Sequence, residues 1–323
     1  MFRKLVFPLF ALALILAGCS PTATSTPTAV PTSNPTTAPT LVPTVNRTIT
    51  LTDGLNRTVT LSGPAQRIVS LAPSNTEILY AIGAGAQLVG RDETSDYPTQ
   101  AASLPTIGGY SGFNTEAIVA LHPDLVLAAG INTPELVAAL EKLGLTVYYL
   151  SNPTTLEEMY TNLETVAKLT GHATEAAALV DSLKKRVAAV DAKILPLNTR
   201  PMVYYEIDAT DPTKPYTYGP GSFGDLLIQR GGGANVGSSL SGQFAQMSLE
   251  QLVVANPSII ILGDSNYGTT ADSLKQRPGW EGLDAVKNSQ IFPFDDNLVS
   301  RPGPRLVDGL EALAKLLHPD LFK

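Results

Sequence analysis

TEAIVALHPDLVLAAG, residues 115–130, recurs in the second half of the chain as LEQLVVANPSIIILGD, residues 249–264. Aligned, Glu116 falls on Glu250, Ile118 on Leu252, Pro123 on Pro257 and Val126 on Ile260. Each copy reads as a short helix of apolar periodicity, opened by a capping side chain (Asn114, Ser248), stopped by proline and followed by a buried strand. A βα unit used twice, well apart in sequence, implies two similar α/β lobes facing each other across a cleft.

Strand and helix signals alternate on both sides of the repeat. RIVSLAP (67–73) reads as a buried strand running into a helix, with Ser74 and Glu77 at capping-box spacing. Helices are expected over Pro134–Leu143 and Leu156–Leu169, with TVYYLS as a strand between them. From 173 to 195, Ala177, Val180, Leu183, Val187 and Val190 recur at helical spacing, a run over about 30 Å long at 1.5 Å per residue. A helix of that length between two lobes acts as a strut. PMVYYEID opens the second lobe, and the triplet Gly231-Gly232-Gly233 follows a helix, so it reads as a C-cap and turn rather than a phosphate loop. The expected division is 1–18 export signal, 19–45 tether, 46–170 first lobe, 171–198 connecting helix and 199–323 second lobe.

Composition bounds the rest. The 323 residues are 44% hydrophobic and 16% charged, enough for two real cores. Arg3 and Lys4 precede an apolar run from Leu5 to Leu16, too short to span a bilayer and so an export signal. Without that segment, 20 basic face 29 acidic residues, which argues against nucleic acid as a partner. Cys19 is the only cysteine, so an internal disulfide and a cysteine-based metal site are both excluded. Its place after Leu16-Ala17-Gly18 resembles the lipobox of bacterial lipoproteins, implying a lipidated first residue; the plain alternative is an ordinary signal peptide with a chance cysteine. Residues 20–45, nearly all Ser, Thr, Pro and Ala, have no apolar face to bury and read as a solvated spacer. None of the three histidines is spaced as a metal ligand, and no nucleophile elbow, Walker loop or Cys/His pair occurs. Neither enzyme, cofactor nor metal is expected.

Six blocks in one order, RIVSLAPSNTEILYAIG (67–83), SDYP (95–98), NTEAIVALHPDLVL (114–127), SLEQLVVANPSIII (248–261), RPGWEGLDAVKN (277–288) and SRPGPRLVDGLEAL (300–313), make the chain resemble the substrate-binding lipoproteins of ABC importers for cobalamin, haem and iron-siderophore complexes. The resemblance implies two Rossmann-like lobes with mainly parallel sheets, joined by one long rigid helix (the class III periplasmic-binding-protein architecture). It also implies a monomer, anchored outside the cytoplasm through Cys19, that carries a corrinoid or ferric chelate to a permease dimer with its ATPase. A non-transport ligand sensor or haem-scavenging receptor on the same fold is the alternative.

In that family a glutamate on each lobe docks with the permease, and Glu116 and Glu250 match those positions. Each acid also complements the positive end of its helix, worth about 0.3–1 kcal/mol. The loops at the strand ends carry Tyr97, Tyr110, Tyr216, Tyr218 and Phe244, the candidate ligand-facing rings. Corrinoid-binding members have tryptophan where Tyr110 and Phe244 fall, so ring character survives at reduced size. Arg301 and Arg305, set among Pro302 and Pro304 at an expected helix start, face either an anionic group of the ligand or an internal partner in Asp295 or Asp296. Arg91 is a weaker candidate of the same kind.

Overall fold

Both copies of the repeat fold as helix then strand. In the computed structural model, which describes residues 48–323, helix Thr115–Ala120 leads into strand Leu125–Ala129, and helix Leu249–Ala255 into strand Ile259–Leu262. Asn114 accepts the Ala117 N–H at 3.0 Å. Ser248 accepts the Gln251 N–H at 3.2 Å, while the Gln251 side chain accepts the Ser248 N–H at 2.9 Å. Caps of this kind are each worth about 1 kcal/mol. Each unit then turns through a left-handed residue directly before proline: His122 at φ 46° and Asn256 at φ 42°. Proline cannot continue a helix, so the chain leaves sharply for the strand. The export segment, Cys19 and the spacer to residue 45 lie outside the described residues.

The two strands occupy the same place in two four-stranded parallel sheets. The first sheet runs Leu88–Arg91, Ile68–Ser70, Leu125–Ala129, Val147–Leu150; the second runs Ala234–Asn235, Met202–Glu206, Ile259–Leu262, Ile291–Pro293. Register corresponds too. Ile68 lies opposite Leu125 and Val126 opposite Val147, as Val203 lies opposite Ile259 and Ile260 opposite Ile291. Leu125–Ala129 and Ile259–Leu262 are buried throughout, as expected of strands covered on both faces by helices.

Helix Ala173–Ile194 joins the halves. Its stripe of Ala176, Val180, Leu183, Val187, Val190 and Ile194 is buried in one apolar cluster with Leu163 and Val166 of the first lobe and Leu310, Leu313 and Leu317 of the second. Polar contacts tie it to the second lobe. Arg186 donates to Asp308 and Glu311, and Arg230 makes a two-pronged pair with Asp191 at 2.9 and 2.8 Å. Each lobe also has an outer core of its own: Val69, Ile118, Val126 and Leu140 in the first, Tyr204, Leu252, Trp280 and Ile291 in the second.

Three local expectations change. The helix after RIVSLAP begins at Pro73 with Ala72 as its N-cap and no side-chain cap, so Ser74 and Glu77 form no capping box. Proline presets the first turn, and the Glu77 carboxylate is taken by two guanidinium groups instead. RPGPR is not helical: a short helix, Asn297–Ser300, ends at Arg301, and the closing helix spans Leu306–Leu317. Arg301 therefore sits at a helix C-terminus, where a cation is favoured, and only Arg305 opposes a helix dipole. Finally, Tyr216–Tyr218 is a strand rather than a loop, paired antiparallel with Phe244–Gln246. Three-residue strands are too short for periodicity to reveal.

Candidate functional site

The loops that leave the carboxyl ends of both sheets meet. Arg301, past the end of strand Ile291–Pro293 in the second lobe, donates to Glu77 at 3.1 Å, to Asp96 at 2.6 Å and to the Thr94 carbonyl at 3.3 Å, all in the first. Arg305 holds both oxygens of Glu77, with Nε to Oε2 at 2.8 Å, and its guanidinium carbon lies 4.0 Å from the centre of the Tyr97 ring. The Glu77 side chain is 1% exposed and both arginines 12%. Burial works against the charge on each arginine, but hydrogen bonding to the carboxylates outweighs it and raises both pKa values. Burial alone pushes the Asp96 carboxyl up; Arg301 more than offsets it, and the carboxyl titrates below the usual range. The acids that meet the two arginines are Glu77 and Asp96 of the other lobe rather than Asp295 or Asp296. Asp296 instead accepts from the hydroxyls of Tyr205 and Tyr218, at 3.0 and 2.8 Å. Arg91 is spent inside the first lobe, donating to the carbonyls of Ala101, Asp92, Glu93 and Ala102.

Four of the five expected rings have surface to offer. Tyr110 stands fully exposed at the tip of a hairpin between Gly108–Gly109 and Gly112–Phe113. A Cβ at Gly109 would meet the Glu93 carboxyl at 2.5 Å, so glycine lets this hairpin lean on the loop that carries Tyr97. Tyr97, Tyr216 and Phe244 are each more than a third exposed. Tyr218 corrects the expectation: it is 2% exposed, packed edge-on against Tyr205 with ring centres 5.0 Å apart. It supports Phe244, 5.8 Å away across the ribbon, and has no face left for a guest. Two concavities, of about 320 and 220 Å³, lie at the hairpin edge around Thr58–Thr60 and Thr52–Gly54, and none of these rings lines either. Tyr97, Tyr110, Tyr216 and Phe244 thus stand exposed at the carboxyl-end side of the two sheets.

Glu116 and Glu250 are exposed in the first turns of the repeated helices. Each helix runs antiparallel to the strand it feeds, so its first turn lies at the carboxyl-end edge of its sheet. Backbone bonds agree: Asn114 N–H reaches Ile107 beside the Tyr110 hairpin, and Leu249 N–H reaches Thr213 beside the Tyr216 strand. Hydrogen bonds from its own N–H and from Ser248 hold the Glu250 carboxyl below the ordinary range.

Two features escaped the sequence. Tyr267, 91% exposed, stands in a turn just past strand Ile259–Leu262, on the same side as the other rings. Beneath that turn, Glu206 is fully buried, accepting from Arg277 at 2.6 and 2.8 Å, with Asp264 beside it. A tyrosine before glycine reads only as a turn, and an acid ending a strand reads only as solvated.

Comparison with known proteins gives one consistent result. The model of a family described as periplasmic binding protein matches residues 68–298. An ABC transporter substrate-binding lipoprotein of Bacillus subtilis is 32% identical over 259 residues, 79% of this chain and 80% of the relative. A vitamin B12-binding protein of Vibrio cholerae is 31% identical over 250 residues, 77% and 87% of the two chains. Among solved structures, the periplasmic haem-binding protein of Roseiflexus sp. RS-1 in apo form superposes with a TM-score of 0.72 at 26% identity, covering 80% of this chain and 99% of that one.

Proposed function

The chain belongs to the periplasmic binding protein family, as the substrate-binding component of an ABC transporter that has a permease and a small-molecule ligand as partners, and we propose from that premise that its exposed rings line an open trough that takes a corrinoid or a ferric chelate, siderophore or haem. The observation that carries this reading is the set of exposed rings at the carboxyl ends of two sheets, Tyr97 and Tyr110 on connections of one lobe and Tyr216 and Phe244 on a two-stranded ribbon of the other. Flat aromatic faces suit a flat, ringed guest. Both arginines beside them are already neutralised by Glu77 and Asp96, so an anionic group on the ligand would have to displace the exposed Asp96 to reach Arg301.

Delivery follows from the repeat. One exposed acid at the equivalent edge of each lobe gives two matching anions for a two-fold permease, held by Glu116 and Glu250. The relatives include a lipoprotein, which supports anchoring outside the cytoplasm through Cys19. Reversing both acids, Glu116→Lys with Glu250→Lys, is expected to abolish uptake while leaving ligand affinity unchanged. Loss of affinity in the purified double variant would place these residues in the binding site and end the docking role.

A further inference from the structure

The turn that presents Tyr267 rests on a buried pair of acids with a single counter-charge. Gly263 seats that turn on the sheet, where an added Cβ would lie 2.4 Å from the Tyr205 ring and 2.9 Å from the Glu206 carbonyl oxygen. This close approach brings the next residue, Asp264, within hydrogen-bonding reach of the Glu206 carboxyl. Asp264 Oδ2 accepts from Thr269 Oγ1 at 2.8 Å and so closes the base of the loop 264–269. Its Oδ1 is buried and has no donor among the described residues. Tyr267 and Gly268, at φ 102°, form the open tip.

The other groups facing this pair among the described residues are Arg277, whose Nη1 and Nη2 both donate to Glu206, and Tyr204 on the same strand, whose buried hydroxyl has no partner of its own. Arg277 also stacks over Trp280 at 4.8 Å. One guanidinium cannot neutralise two carboxylates, and two ionised carboxylates in contact away from water repel. A single proton between them removes the excess charge and supplies the donor that Asp264 Oδ1 lacks.

We infer that Glu206 and Asp264 hold one proton between them, that this proton keeps the loop 264–269 shut, and that Tyr267 is thereby a further, proton-gated contact for the guest of the trough. The last step rests on the trough being a ligand site; the first two do not. Losing the proton to solvent leaves two carboxylates and one guanidinium, and the acid nearer the surface, Asp264, is pushed outward and lets go of Thr269. Burial pushes the Glu206 carboxyl up to about 7 and raises that of Asp264, so the pair, titrating as a unit, changes charge near neutrality.

Hydrogen exchange of the ligand-free protein at pH 6 and pH 8.5, corrected for the intrinsic pH effect, tests the proton. In the wild type, protection across residues 264–274 is expected to fall roughly tenfold or more at the higher pH. In Glu206→Gln, which keeps a donor at either pH, protection should be the same at both; Asp264→Asn serves equally should the first variant not fold. Protection independent of pH in the wild type, or falling equally in the glutamine and asparagine variants, would overturn the inference. Titrations with cyanocobalamin, hemin and a ferric siderophore then test Tyr267. The wild type should bind one of them more weakly at pH 8.5 than at pH 6, and Tyr267→Ala should bind weakly at both. A ligand bound equally well by Tyr267→Ala overturns the contact; failure of all three ligands to bind the wild type overturns the ligand reading and leaves the exchange result to judge the proton.

Discussion

Two buried clusters of arginine and acid sit at the ends of the same sheets and are built to opposite balances. Around Glu77, one buried carboxylate faces Arg301 and Arg305, with Asp96 at the rim making up the charge. Around Glu206, two buried carboxylates face the single Arg277. The first is neutral as it stands and spans the lobes. The second is neutral only with a proton aboard and lies within one lobe. Balanced charge at a junction makes a clamp that holds through neutral pH; surplus acid under a loop makes a site that responds to pH there.

Removal of the acid shared by the two clamp arginines is expected to have the largest effect. Glu77→Ala strands two nearly buried guanidinium groups, and denaturant unfolding should show a loss of about 3–5 kcal/mol. The same deletion in the other cluster should act in reverse above neutral pH. A carboxyl whose folded pKa is raised from 4.5 to about 7 favours folding least once it is ionised. Stability from this group is fully present below the unfolded value and is lost as pH rises from there through about 7. Glu206→Gln should therefore flatten the pH profile of stability between pH 5 and 8, with a gain of roughly 2–3 kcal/mol over the wild type at pH 8. A profile with the same slope in both proteins would remove the distinction between the clusters.

Smaller effects sharpen it. Asp96, exposed at the rim, should cost no more than about 1 kcal/mol on replacement by asparagine, because water screens its pair with Arg301. A loss as large as that at Glu77 would show that the clamp needs all of its charges.

What the sequence made legible follows the range of the interactions. The repeat, both parallel sheets and the long helix rest on apolar spacing within a few turns, and the structure contains all three. The partners of Arg301 and Arg305 do not, since they lie 224 and 228 residues away, beyond anything local spacing encodes. A three-residue strand such as Tyr216–Tyr218 cannot tell which of its rings faces inward, which is why Tyr218 misled. Glu77 was misread because Ser-x-x-Glu is a local pattern, and a contact across the lobes overrode it.

The proposed transport role requires that the trough of rings hold a guest. Quenching of intrinsic fluorescence in equilibrium titrations with cobalamin, hemin and a ferric siderophore, run on the wild type and on Tyr110→Ala with Phe244→Ala, tests that directly. One of the three should bind saturably with a Kd between about 1 μM and 1 nM, and the double variant should bind it at least about tenfold more weakly. Saturable binding that the double variant leaves unchanged would contradict the account.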